Sequence, residues 1–228
     1  MYSRWMTFAG MLLMVGVMNG QRPNSPEFSE GQEATDSIHR LARDTAVRFL
    51  WLEMRFDPEF GDSISTIVLN EDYIATMPEE ERAAVGYIAT FVGNECWWDG
   101  DYTSDRSNLK CVILSALGLG YQCSEQHLGF LRKWFRGDSA ALARLRDEDC
   151  ITMPYTATVQ SSFDQISLAR KGDVISLDYS GGWVHLRDGI SVDWQFVETF
   201  GVKDKTLHIL DTDTVRYQIE YFETDVDE

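Results

Sequence analysis

The stretch ISVDWQF, Ile190 to Phe196, alternates apolar with polar residues at every step, and VRYQIEY, Val215 to Tyr221, repeats the pattern. A period of two sets Ile190, Val192, Trp194 and Phe196 on one side of a strand, with Ser191, Asp193 and Gln195 on the other. By the same spacing Val215, Tyr217, Ile219 and Tyr221 oppose Arg216, Gln218 and Glu220, so each strand is expected to bury one face. Turn signals recur at short intervals, at Lys171-Gly172, Ser180 to Gly182, Asp188-Gly189 and Lys203 to Lys205. This spacing predicts an antiparallel meander of roughly five to seven strands.

Upstream of Pro154 the period is near 3.6 instead. The apolar set Ile38, Leu41, Ala42, Ala46, Phe49 and Leu52 predicts a helix over Ser37 to Phe56, ended by Pro58 and Gly61. Thr76 and Glu79 form a capping box ahead of a second helix carrying Ala84, Val85, Ile88 and Val92, which stops at Gly93 and Asn94. A third helix runs from about Ser107 with Leu109, Val112, Ile113, Ala116 and Leu117 inward, and Gly118 and Gly120 are its left-handed terminators. Ser124 caps a fourth, bearing Leu128, Leu131, Trp134 and Phe135 up to Gly137, and Asp138 caps a fifth through Leu142 and Leu145. Helices first and strands later, without alternation, define an α+β chain. The expected architecture is an N-terminal disulfide-stapled helical half, residues 37–150, followed by an antiparallel β-meander, residues 151–228, packed on one face.

The first 20 residues read as a secretory signal peptide: Arg4, the apolar run Met6 to Met18, then small Gly20 ahead of polar Gln21. A run of about 13 residues is short of the ~20 that span a bilayer as a helix, so no membrane anchoring is expected after cleavage. Residues 21–36, rich in Pro, Ser, Glu and Gly, read as a flexible acidic tether. Export to a periplasm or the extracellular space makes the four cysteines disulfide partners. Antiparallel helix neighbours favour Cys96 with Cys111 and Cys123 with Cys150. There is no CxxC knuckle for zinc, and His127 stands one helical turn from Cys123 by coincidence of spacing.

With 20 basic and 37 acidic residues the 228-residue chain has a formal charge of −17. Such a surface repels phosphate backbones and anionic lipid, which argues against nucleic-acid and membrane partners and leaves a protein or carbohydrate partner. No G-x-S-x-G, P-loop, G-x-G-x-x-G or HExxH motif is present, so the common hydrolase, nucleotide and zinc-enzyme markers are missing.

The most chemically loaded loop holds Trp97, Trp98, Asp99, Asp101, Tyr102 and Asp105, a candidate binding surface in which indole faces stack on sugars or on neighbouring helices. Its acids suggest calcium, but Ser104 stands where the helix-loop-helix template needs glycine and Lys110 where it needs a bidentate Glu. On the strands, Asp178, Asp193, His208, Arg216 and Glu220 fall on polar faces, where a solvated sheet surface and an acid/base pair are the alternatives. These features describe an exported acidic binding or inhibitory module, non-enzymatic, with no cofactor or metal. The competing readings are a secreted hydrolase using paired carboxylates and a calcium-stabilised structural module. Oligomeric state is left open at this level.

Overall fold

The computed structural model describes residues 46–58, 61–92, 109–147 and 159–223, all within one compact unit. Six strands form one antiparallel sheet in the order β2-β1-β3-β4-β5-β6: β1 Val47–Asp57, β2 Asp62–Leu69, β3 Val159–Lys171, β4 Val174–His185, β5 Ile190–Lys203 and β6 Thr206–Tyr221. Among the described residues five helices lie between β2 and β3: α1 Glu71–Thr76, α2 Glu79–Thr90, α3 Leu109–Ala116, α4 Glu125–Trp134 and α5 Ser139–Asp147. The α+β class agrees with the periodicities, but the C-terminal meander has four strands among the described residues rather than five to seven: Ser180 to Gly182, read as a turn, lies inside β4 and is paired with β3 and β5.

The expected helix over Ser37 to Phe56 is corrected: from Val47 onward the chain is a strand that pairs with β2 and β3. Its residues carry both periods. Leu50, Leu52, Met54 and Phe56 alternate by two, and the bulky, aromatic Phe49 and Trp51 favour extended backbone. A register shift between Arg48 and Leu50 explains why Phe49 and Leu50 are both buried. The helical stretch is therefore inserted between two β segments of one sheet. The strands do not all follow it.

The capping box is also corrected. Helix α2 starts after Pro78, with no side-chain cap, because Thr76 belongs to the end of α1, where its hydroxyl donates to the carbonyls of Asp72 and Tyr73. Proline at a helix start loses no useful donor. The other caps form as expected: Ser124 Oγ accepts from His127 N, and Asp138 Oδ1 accepts from the amides of Ala140 and Ala141. Gly118 and Gly120 take positive φ, +69° and +75°, just past α3.

Facing residues of paired strands share a face, so the register defines two sheet surfaces. One row, Leu69, Leu50, Ile166, Tyr179, Phe196 and Thr214, crosses all six strands and is apolar up to its last member. The helices cover this surface. Tyr87 of α2, Phe135 after α4 and Phe200 of β5 form a ring cluster with centroids 4.5 to 6.2 Å apart, joined in the core to Leu131, Leu177 and Leu207. Arg82 ties the helical layer together by donating to the carbonyls of Ile74, Met77 and Leu117, and Arg170 of β3 reaches Glu80 and Glu81 of α2. On the opposite surface the corresponding row starts with Val68 and Trp51 and is polar from β3 to β6, through Gln165, Ser180, Gln195 and Arg216.

Candidate functional site

β6 is an edge strand, and its two halves are treated differently by the rest of the fold. The near half, Thr206 to Ile209, pairs with β5 through Leu207 opposite Val202 and Ile209 opposite Phe200. Its outer side meets the turn between α4 and α5. Asp138, the cap of α5, uses its second oxygen to accept from Ile209 N at 2.9 Å, and Arg136 Nη2 donates to the Asp204 carbonyl at 3.0 Å. A Cβ on Gly137 would lie 2.5 Å from His208 Cε1, so only glycine permits this approach without moving the ring. The edge is satisfied there by a carboxylate.

From Leu210 onward nothing among the described residues takes the place of that turn. Two register shifts leave Leu210 and Val215 as extra residues on β6, and pairing with β5 is then regular from Arg216 to Tyr221. Tyr217 stands opposite Trp194, Ile219 opposite Val192, and Tyr221 opposite Ile190, so the three continue the helix-covered apolar surface. Trp194 and Val192 are buried, yet Tyr217, Ile219 and Tyr221 are 54%, 51% and 78% exposed. The expectation that β6 buries one face is thus overturned along most of its length. Alternation specified the strand and its two sides, but a terminal strand of a meander has a neighbour on one flank only, and the helices reach its near half.

The five polar-face residues Asp178, Asp193, His208, Arg216 and Glu220 do share one surface by register. They do not all converge. His208 faces Gly201 and Glu220 faces Ser191, ten residues apart along β5 or roughly 33 Å. Asp178 accepts from Gln195 Nε2 at 2.8 Å, while Asp193 and Glu220, on a diagonal, are both exposed as on a solvated face.

Two buried polar clusters are structural. His127 of α4 is fully buried; its Nδ1 accepts from Cys123 N at 3.1 Å, which leaves the proton on Nε2, 3.0 Å from Thr90 Oγ1. Thr90 in turn donates to the Gly86 carbonyl, and Lys110 Nζ donates to the Thr90 carbonyl. Burial first, and the Lys110 charge second, push the imidazole down to about 4, so it is neutral at pH 7. Its spacing from Cys123 serves to hold that residue, at φ 60°, in a left-handed turn. The second cluster is Glu198, 2% exposed, which accepts from the Tyr179 hydroxyl at 3.0 Å. Burial raises its carboxyl above the ordinary range, partly offset by Tyr179 and by Arg144, whose guanidinium also lies 3.8 Å from the Phe91 ring centre. Both clusters are enclosed in the core.

Trp97, Trp98, Asp99, Asp101, Tyr102 and Asp105 lie outside the described residues, as do Cys96, Cys150, the leader and the tether. Cys111 and Cys123 are each disulfide-bonded, and no free cysteine occurs among the described residues. No group of three or more His, Cys, Asp or Glu is arranged to hold a metal among the described residues, and no described helix is long and apolar enough to cross a membrane. Tyr217, Ile219 and Tyr221 were expected in the core. The signal that marks them as surface is positional: they sit on the last strand of a meander, beyond the acidic pair Asp211 and Asp213.

No known protein family, no curated protein and no solved structure matches the chain.

Proposed function

We propose that this protein is an exported, non-enzymatic binding module that presents the far half of β6 to a protein partner. The observation that carries this reading is the exposed row Tyr217, Ile219 and Tyr221 on an open strand edge, continuous with the buried Trp194 and Val192. An extended partner segment adding to such an edge gains main-chain hydrogen bonds and covers alternate side chains. Aromatic residues suit that use because they bring large contact area with few rotatable bonds. Disulfide bridges pairing Cys96 with Cys111 and Cys123 with Cys150 would staple the helical layer behind the sheet, in keeping with an oxidising compartment. Cys111 in α3 and Cys123 just before α4 belong to that layer, which fits a supporting role.

The hydrolase alternative draws no support from the polar face, where the acids are spread along the strands or face solvent. The test is capture from the extracellular or periplasmic fraction by immobilised protein, followed by hydrogen exchange on the complex. Expected are a partner lost on Tyr217→Ser with Ile219→Lys, retained on Asp193→Asn, and protecting the amides of 216–221. Capture that survives the double substitution, or that protects another surface, overturns the proposal.

A further inference from the structure

The far edge of β6 carries its own complement. Between Val215 and the end of the strand there is no bulge and no proline, and the backbone is regular over Arg216 to Tyr221. If a second β6 lies antiparallel beside it about a twofold axis at Gln218, Arg216 comes opposite Glu220 on the polar surface. Tyr217 then comes opposite Ile219 on the apolar surface. Both contacts occur twice by symmetry. Moving the axis by one residue in either direction sets Arg216 against Gln218 or Phe222 and leaves Glu220 opposite Thr214 or Gln218, so a single register pairs the opposite charges.

On this basis, and resting on the binding reading above, we propose that the partner is a second copy of this chain, joined β6 to β6 through the register centred on Gln218. The joined sheet has twelve strands. Its apolar surface runs without a break from Trp194 through Tyr217 to the partner's Ile219, and aromatic against β-branched pairs are favourable cross-strand neighbours. The near half of β6, with Asp138 on its edge, and the acidic stretch with Asp211, Asp213 and the bulges at Leu210 and Val215 confine the pairing to the last six residues. The overall charge of −17 opposes association, so the local Arg216 and Glu220 pairs set the register against a repulsive background.

Sedimentation of the full mature chain across a concentration series tests this directly. Dimer is expected for the native sequence, weakened roughly tenfold by Arg216→Glu and by Glu220→Arg, since each turns two attractive pairs repulsive. An equimolar mixture of these two variants places Glu opposite Arg at both symmetry-related positions, and is expected to recover the dimer as a mixed species. Circular dichroism of each variant alone establishes that the fold is retained, and the mixture reports even if one variant is destabilised. A native chain that stays monomeric, or a dimer indifferent to both charge reversals, overturns the self-pairing. Monomeric protein that still captures a different partner through residues 216–221 would sink this inference and leave the binding reading standing.

Discussion

One strand, β6, is at once core and surface. Over Thr206 to Ile209 it is sealed by the turn between α4 and α5, and Leu207 is 0% exposed; from Leu210 to Tyr221 every residue is exposed. Residues 206–209 and the last six residues, 216–221, have the same regular extended backbone, the same pairing partner and the same kind of side chain on the helix-covered surface. What differs is whether another element reaches them. An apolar side chain in a strand therefore states which surface it lies on, and only its neighbours determine whether that surface is dry.

The comparison is broken most severely by truncating equivalent side chains in the two halves. Leu207→Ala is expected to cost about 2–5 kcal/mol in urea or guanidinium unfolding, the range for emptying a fully packed site. Ile219→Ala, at half exposure, should cost under about 1 kcal/mol in the monomer. Equal losses would mean that the far half is also core.

Helix α4, which carries the sealing turn at its end, gives a pH-dependent version of the same test. Imidazole 127 has a folded pKa of about 4 against about 6.5 unfolded. The unfolded chain binds the proton more readily, so this contribution is fully present above about pH 6.5 and is lost as pH falls through about 4. The expected loss is on the order of 3 kcal/mol over that window. Thermal unfolding of His127→Gln measured from pH 7 to pH 4 should show a flatter profile than the native protein; an identical slope would refute the assignment. Glu198 works in the opposite sense. Its raised pKa makes its contribution largest below the unfolded carboxylate value, and that contribution is lost as pH rises through the folded one. Glu198→Gln should therefore keep the acid-side stability to higher pH, which the same melts would detect.

Next in size is Asp138→Ala, which removes the cap of α5 and the acceptor for Ile209 N together. A loss of about 1–2 kcal/mol is expected, with faster hydrogen exchange at Ile209 as its signature; unchanged protection there would show that the edge is held by something else. Smallest of all is the effect of Gln218→Ser on monomer stability, expected within about 0.5 kcal/mol because the site is exposed and away from any cap or core contact. A larger loss in unfolding experiments would show the far half to be structurally engaged in the monomer.

Much of the fold was legible residue by residue. The period-two runs from Ile190 and Val215, the caps Ser124 and Asp138, and the terminators Gly118 and Gly120 all act as local chemistry predicts, because each depends on atoms within a few residues. The segment from Val47 to Phe56 was misread since its apolar residues satisfy two periods at once. Pairing with β2 and β3, contacts distant in sequence for β3, chose between them. Thr76 failed as a cap for a related reason: a competing local use, donation into the end of α1, was equally available to its hydroxyl. For the candidate site, the residue types and their shared side could be read from VRYQIEY, but not their exposure.

The sequence alone determined an α+β chain, the caps at Ser124 and Asp138, the turns at Gly172, Gly189 and Lys203 to Lys205, the two-sidedness of the strands and the strong negative charge, all of which follow from short-range spacing and composition, whereas Ser180 to Gly182, read as a turn, lies inside β4. Only the tertiary structure decided that β1 and β2 join the C-terminal meander, that His127 and Glu198 are enclosed, and that Tyr217, Ile219 and Tyr221 are left in water. The reason is physical: periodicity records which way a side chain points, whereas burial depends on which distant segment arrives to cover it.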